Sequence, residues 1–177
     1  MTEYERQFWD LVEEHRPALW RFSLGLTKSR EDARDLTSET VLAAFRSFSR
    51  LRDRSTFRKS LFTIAVRIHR RAMWRRRIFA PNDDAINIEA PQSEESAYDL
   101  ELLTKSLGAL PERQREAILL FEISGLSLEE IRSVQGGSLS GVKSRVTRAR
   151  ETLRRLMTDS SADMNETTNY TPVSALL

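Results

Sequence analysis

At 177 residues, with 40% apolar and 31% charged side chains, the chain has room for one domain or two small cores, and its six glycines and five prolines leave little scope for many strands and tight turns. It has no cysteine, so disulfides, thiol nucleophiles and Cys-ligated zinc are excluded, and His15 and His69 are too few for a His-rich metal centre. No apolar run approaches the roughly 18 residues of a membrane span, and the acidic, amphipathic start has no secretory core, so an all-α, cytoplasmic protein without cofactor or metal is expected.

The first helix is predicted from about Glu3, with Phe8, Leu11, Val12, Leu19, Phe22 and Leu26 on one apolar stripe. Pro17 should kink or break it. Ser29 and Asp32 then form a capping signal. The second helix places Ala33, Leu36, Thr40, Val41, Ala44, Phe45 and Phe48 at three- and four-residue steps. Its opposite face carries Asp32, Asp35, Ser38 and Glu39. Residues 51–55 should turn. A third helix starts near Thr56, buries Phe57, Leu61, Ile64, Ala65 and Ile68, and runs into the arginine-rich stretch 70–77.

The net charge of +2 hides a strong segregation. Residues 50–79 hold 11 basic side chains and one acid, Asp53, whereas residues 80–101 hold seven acids and no base. Basic residues dominate again from Lys143 to Arg155. Two basic blocks around an acidic one suggest two polyanion-binding surfaces. Residues 80–96, with two prolines and no periodicity, read as a flexible linker. Its charge could shield the basic surfaces in the free protein.

A second helical unit is predicted over 97–157. Leu100, Leu103, Leu107 and Leu110 share one face. Pro111 fits the first position of the next helix, whose core side is Ala117, Ile118, Leu120 and Phe121, and Gly125 ends it. Ser127 and Glu130 form a capping box for a short helix with Leu128, Ile131 and Val134. After Gly136-Gly137 the last helix buries Val142, Val146, Ala149, Leu153 and Leu156. Residues 158–177 read as a disordered polar tail.

Three features carry function. A short capped helix, a glycine turn and a longer basic helix make a helix-turn-helix, whose second helix leads into the major groove with its amino-terminal residues. Ser138, Leu139, Ser140, Lys143 and Ser144 would lead here, with Arg145, Arg148 and Arg150 available to phosphates. A helical hairpin with a solvated basic face stays open. The third helix interleaves Arg58, Phe62, Arg67, Arg70, Arg71, Trp74 and Arg75, a pattern suited to single-stranded nucleic acid. For Phe57 and Phe62 a core role is the alternative, and for Trp74 a surface contact. The acidic face with Asp32, Asp35 and Glu39 is either solvated or a docking surface for a basic partner. No base, nucleophile or metal-ligand set accompanies it, and no phosphate-binding glycine loop is present, so an enzyme finds no support.

The run EDARDLTSETVLAAFRSF resembles the second region of extracytoplasmic-function sigma factors, and FRKSLFTIAVRIHRRAMWRRR resembles the promoter-melting segment that follows it. LGALPERQREAILLFEISGLSLEEIRSVQGGSLSGVKSRVTRARETLRRLM resembles the fourth region, most specifically in ALPERQREA, GLSLEEI and VKSRVTRARETLRR. The resemblance spans roughly residues 8–157, with a linker where this class lacks the third region. It implies a non-enzymatic subunit of RNA polymerase: a region-two domain over 1–79, linker 80–96, and a region-four domain over 97–157. Asp32, Asp35 and Glu39 would lie near the clamp of the largest polymerase subunit. Arg58, Arg67, Arg70, Arg71 and Trp74, with the loop before their helix, would bind and melt the minus-ten element and capture a flipped base. Ser138, Ser140, Lys143, Arg145 and Arg148 would read the minus-thirty-five element. An anti-sigma factor is the expected regulator.

The chain departs from the family pattern at several positions. Ser60 replaces the usual Trp, Arg67 the usual Asn and Ser38 the usual Gln. In the helix-turn-helix Arg132 replaces Ala, Gln135 replaces Leu, Gly137 an apolar residue, and Ser140-Gly141 the usual Gly-Thr. The first group implies an altered promoter preference, and the second weaker packing between the two helices. Two other readings compete: a stand-alone helix-turn-helix regulator, and an antagonist that mimics the sigma fold.

Overall fold

The computed structural model describes residues 2–27, 29–79 and 94–162, with helical backbone alone at 94–101 and 159–162. Among these residues the structure is all-helical, and the chain divides into two units, Met1–Glu89 and Ala90–Leu177.

Unit one is a bundle of three mutually packed helices: α1 (Glu3–Leu26), α2 (Arg30–Phe48) and α3 (Phe57–Phe79), the last preceded by a 3-10 turn, Arg54–Thr56. Thr2 and Glu5 close a capping box on α1. Pro17 does not break α1, which runs through it. Both Pro17 and Glu13, whose carbonyl loses its helical partner, are exposed, so the group that proline orphans lies on the solvent side of the helix. The Ser29 hydroxyl accepts from Asp32 N–H at 3.0 Å, as the capping signal predicts.

The core at one end of the bundle is aromatic. Phe8, Phe48 and Phe57 are at most 2% exposed, and the Phe8 ring lies 5.1 Å from Phe48 and 5.9 Å from Phe57 in edge-to-face contacts. Such pairs add roughly 0.5–1.5 kcal/mol each beyond area burial. On α3 the buried stripe is Phe57, Leu61, Phe62, Ala65, Val66 and His69, whereas Ile64 and Ile68 are half-buried. The stripe is rotated from the predicted one because α3 packs against α1 and α2 together, and Phe62 meets Phe22 edge-on at 5.1 Å.

Unit two contains α4 (Glu94–Ala109), α5 (Glu112–Glu122), α6 (Leu128–Gln135) and α7 (Leu139–Ala162). Its core gathers Leu107, Leu110, Ala117, Ile118, Leu120, Leu126, Ile131, Val142, Val146 and Ala149, while Leu153 and Leu156 are half-buried. Pro111 caps α5 from one position outside it. Past the end of α5, Gly125 takes φ 64° and lets Leu126 N–H reach Leu120 O at 3.1 Å. Ser127 and Glu130 close the expected capping box on α6.

Two boundaries move. Helix α4 begins at Glu94, three residues inside the stretch read as linker; the rest of that stretch, 80–93, lies outside the described residues. Helix α7 continues through Ala162, so 158–162 are helical where a tail was expected, and 163–177 lie outside the described residues. The ladder propagates at little cost once α7 is anchored by its buried valines.

Candidate nucleic-acid and partner interfaces

On α3, Arg67, Arg71, Trp74 and Ile78 recur at four-, three- and four-residue steps on the side away from Leu61, Ala65 and His69. Arg67 and Arg71 are exposed, Trp74 is 63% exposed and Ile78 50%. An aromatic ring and an aliphatic side chain therefore stand in water between arginines, where the core offers no reason for them. Trp74 belongs to this surface, whereas Phe57 and Phe62, interleaved with the same arginines in sequence, belong to the core. Arg58 is also exposed and Arg70 half-buried. His69 is buried, and the His15 ring stacks on Phe57 at 6.1 Å.

The acidic face of α2 exposes Asp35 and Glu39, with Leu42, 49% exposed, following at a three-residue step. Asp32 is placed differently. Its carboxylate sits in the first turn of α2, where the helix dipole favours negative charge, and accepts from Arg76 Nη2 at 2.5 Å. One partner residue thus comes from the arginine-rich end of α3.

In unit two, α5, α6 and α7 pack mutually, with the glycine turn between α6 and α7. Gly136 takes φ 75° and ψ 177°, and Gly137 φ 87°, a conformation that side-chain-bearing residues rarely adopt. At 137, then, glycine serves the turn where the family carries an apolar residue. The Ser138 hydroxyl accepts from Gly141 N–H at 3.1 Å and lies 3.1 Å from the Ser140 hydroxyl, so Ser138 is the amino-terminal cap of α7. Ser140, Lys143 and Arg148 are exposed on the leading part of this helix, and Leu139 is 40% exposed. Arg145 is half-buried and its Nη2 donates to Gly136 O at 3.3 Å, which directs it at the turn. Arg150 ties α7 to α5: its Nε donates to Glu122 at 2.7 Å and its guanidinium lies 5.0 Å from the Phe121 ring centroid.

Gln135 is held in this packing through its amide nitrogen, while its buried Oε1 has no hydrogen-bond partner. It is 4% exposed, and its Nε2 donates to Glu116 Oε1 at 2.7 Å and to Arg113 O at 3.0 Å. Arg113 Nη2 returns a bond to Gln135 O at 2.8 Å. A polar clasp between α5 and α6 thus stands where the family pattern places a leucine. Sequence reasoning also missed Arg115, which is 6% exposed and whose Nε has no hydrogen-bond partner. Burial pushes its guanidinium below the ordinary arginine range, opposed by Glu112. Its only sequence signal is the ALPERQREA motif.

The comparisons agree with this division. Residues 11–77 match the family description Sigma-70 region 2, and residues 100–153 match Sigma-70, region 4. The chain is 33% identical over 164 residues to ECF RNA polymerase sigma factor SigE of Mycolicibacterium smegmatis, covering 88% of this chain and 63% of that one. It is 31% identical over 144 residues to ECF RNA polymerase sigma factor EcfG of Rhodopseudomonas palustris, covering 80% of each. Among solved structures it is similar to the sigma factor RpoE in complex with the anti-sigma factor NepR from Bartonella quintana, with TM-score 0.75 and 28% identity over 86% of this chain and 98% of that one. It is also similar to CnrH in complex with the cytosolic domain of CnrY, with TM-score 0.67 and 26% identity over 88% of this chain and 90% of that one.

Proposed function

Because the chain belongs to the extracytoplasmic-function sigma factors of the sigma-70 family, we propose that it directs core RNA polymerase to promoters and acts in the cytoplasm. The observation that carries this reading is the second surface of α3, with Trp74 and Ile78 exposed among arginines opposite the bundle core. A duplex-binding regulator has no use for such a platform, whereas separated bases stack on aromatic rings and their phosphates pair with arginines. Arg58, Arg67, Arg70, Arg71 and Trp74 are assigned to the minus-ten strand. Asp35, Glu39 and Leu42 offer an acidic surface with an apolar end to the polymerase clamp. Asp32 contributes from beside its ion pair with Arg76.

Unit two is assigned to the minus-thirty-five duplex. Ser140, Lys143 and Arg148 project from the leading turns of α7, while Ser138 and Arg145 shape the turn that presents them. The region-two domain is taken as 1–79 and the region-four domain as 97–157, each enclosing one family match. Regulation by an anti-sigma factor fits, since both solved neighbours are held by such partners or by a cytosolic protein domain. No helix among the described residues is long and apolar enough to cross a membrane.

Run-off transcription tests the reading, with core polymerase, purified protein and a pool of genomic promoter fragments. Discrete transcripts that need the protein and vanish with Arg70→Ala/Arg71→Ala are expected. Tight core binding without transcripts would favour an antagonist. Duplex binding without core binding would leave a stand-alone regulator.

A further inference from the structure

Residues 49–53 join α2 to the turn Arg54–Thr56, and Ser49, Arg50 and Arg52 are exposed there. This loop is tied at both ends in the protein alone. Arg50 N–H donates to Ser47 O at 3.0 Å and Leu51 N–H to Phe48 O at 3.1 Å. From the other side Asp53 Oδ1 accepts from Ser55 N–H at 2.9 Å. The Asp53 carbonyl accepts from the Thr56 hydroxyl at 2.7 Å and from Thr56 N–H at 3.2 Å.

Arg54 joins the two ends. Its guanidinium lies 3.7 Å from the centroid of the Phe48 ring, and its Nη1 donates to the Phe48 carbonyl at 3.0 Å. Phe48 is an immobile anchor, 1% exposed and wedged against Tyr4, Phe8 and Phe57. The same carbonyl thus receives Leu51 from the start of the loop and Arg54 from its end. Stacking and donation together need a planar fork, which arginine has and lysine lacks.

We propose that Arg54 is a positioning residue that holds loop 49–53 in one shape, ready to receive the separated strand. The proposal rests on the sigma-factor reading. In it Arg54 touches no DNA, because its charge faces Phe48. Its effect is to remove the entropic cost of ordering the loop when the strand arrives.

The test uses the full chain with core RNA polymerase. The probe is a single-stranded oligonucleotide covering the melted non-template strand of a promoter that the wild-type holoenzyme transcribes. Arg54→Ala should lower affinity about tenfold. Phe48→Leu, which removes the ring but keeps the carbonyl that Arg54 also uses, should weaken affinity by less, and the double variant should be no weaker than Arg54→Ala. Arg54→Lys should stay weak despite its charge. The slope of log affinity against log salt should not change; a slope shallower by about one would mean that Arg54 itself holds a phosphate, and would overturn the proposal. In the free chain, amide exchange at Leu51 and Thr56 should accelerate in Arg54→Ala while global unfolding of unit one is unmoved. Unchanged protection would overturn it too. If wild-type holoenzyme captures no oligonucleotide, the sigma-factor reading fails instead, and exchange in the free chain still decides whether Arg54 orders the loop.

Discussion

Replacing Gln135 with alanine should unfold unit two at a markedly lower temperature and leave unit one alone. Gln135 is 4% exposed and makes one hydrogen bond to a carbonyl and one to the Glu116 carboxylate, which is 1% exposed. A neutral hydrogen bond contributes about 0.5–1.5 kcal/mol and one to a charged group about 1.5–3 kcal/mol. Their loss costs about 2–4.5 kcal/mol, and removing the buried Oε1, which has no partner, offsets part of this, so the smaller figure applies. At the smaller figure the melting temperature of a unit this size falls by roughly 8–16 °C. The two units can be followed separately because Trp9, Trp20 and Trp74 all lie in unit one. Tryptophan fluorescence sees only that unit, whereas far-ultraviolet circular dichroism sees both. The variant should shift only the dichroism transition that has no fluorescence counterpart. A double-mutant cycle with Glu116→Ala should give a coupling of about 1.5–3 kcal/mol. A coupling below about 0.5 kcal/mol would refute the clasp, since that is the scatter of independent sites.

Gly136→Ala meets no atom within 4 Å but must adopt φ 75° and ψ 177°; the expected cost is about 1–3 kcal/mol, seen in the same dichroism transition. Trp74→Ala removes a ring that is 63% exposed, so the fluorescence-detected stability of unit one should change by no more than about 0.5 kcal/mol. Binding of a minus-ten single strand by the holoenzyme should weaken by about 1–3 kcal/mol in the same variant, measured by titration. Burial lowers the affinity of His15 for its proton, and Arg58 adds to this against Glu14. The neutral form is therefore favoured in the folded state. Its stability contribution is complete above the unfolded value of about 6.5 and declines as pH falls through it, levelling off below the folded value. His15→Phe, which keeps the stack on Phe57, should flatten that part of the fluorescence-detected stability profile.

The local signals were readable in advance. Ser29 with Asp32, and Ser127 with Glu130, name their helix ends because a cap is made within one turn of chain. The apolar stripe of α1 was equally plain, since Phe8, Val12, Leu19 and Phe22 recur on one side. What escaped depends on partners distant in sequence. A stripe on α3 cannot show that two helices will straddle it, and so Val66 and His69 are buried where Ile64 and Ile68 were expected. Gln135 reads only as a packing fault until Glu116, nineteen positions earlier, is found beside it. Arg54 is one more cation in a basic run until Phe48 is found under it. The candidate surfaces were legible as charge and aromatic pattern. Only the fold separated Trp74, which faces water, from Phe62, which does not.

The contact between Asp32 and Arg76 makes the two faces of unit one competitors for a single charge. A cation that claims Asp32 Oδ1 competes with Arg76 for it. The evicted guanidinium returns to the basic end of α3 as one more counterion for a strand. Asp32→Asn mimics that eviction without a partner, and should steepen the salt dependence of single-strand binding by about one unit of slope. An unchanged slope would mean that the freed arginine finds no phosphate. If it finds one, the grip on nucleic acid would tighten when the acidic side is occupied, through a trade of ions and with no movement of the backbone.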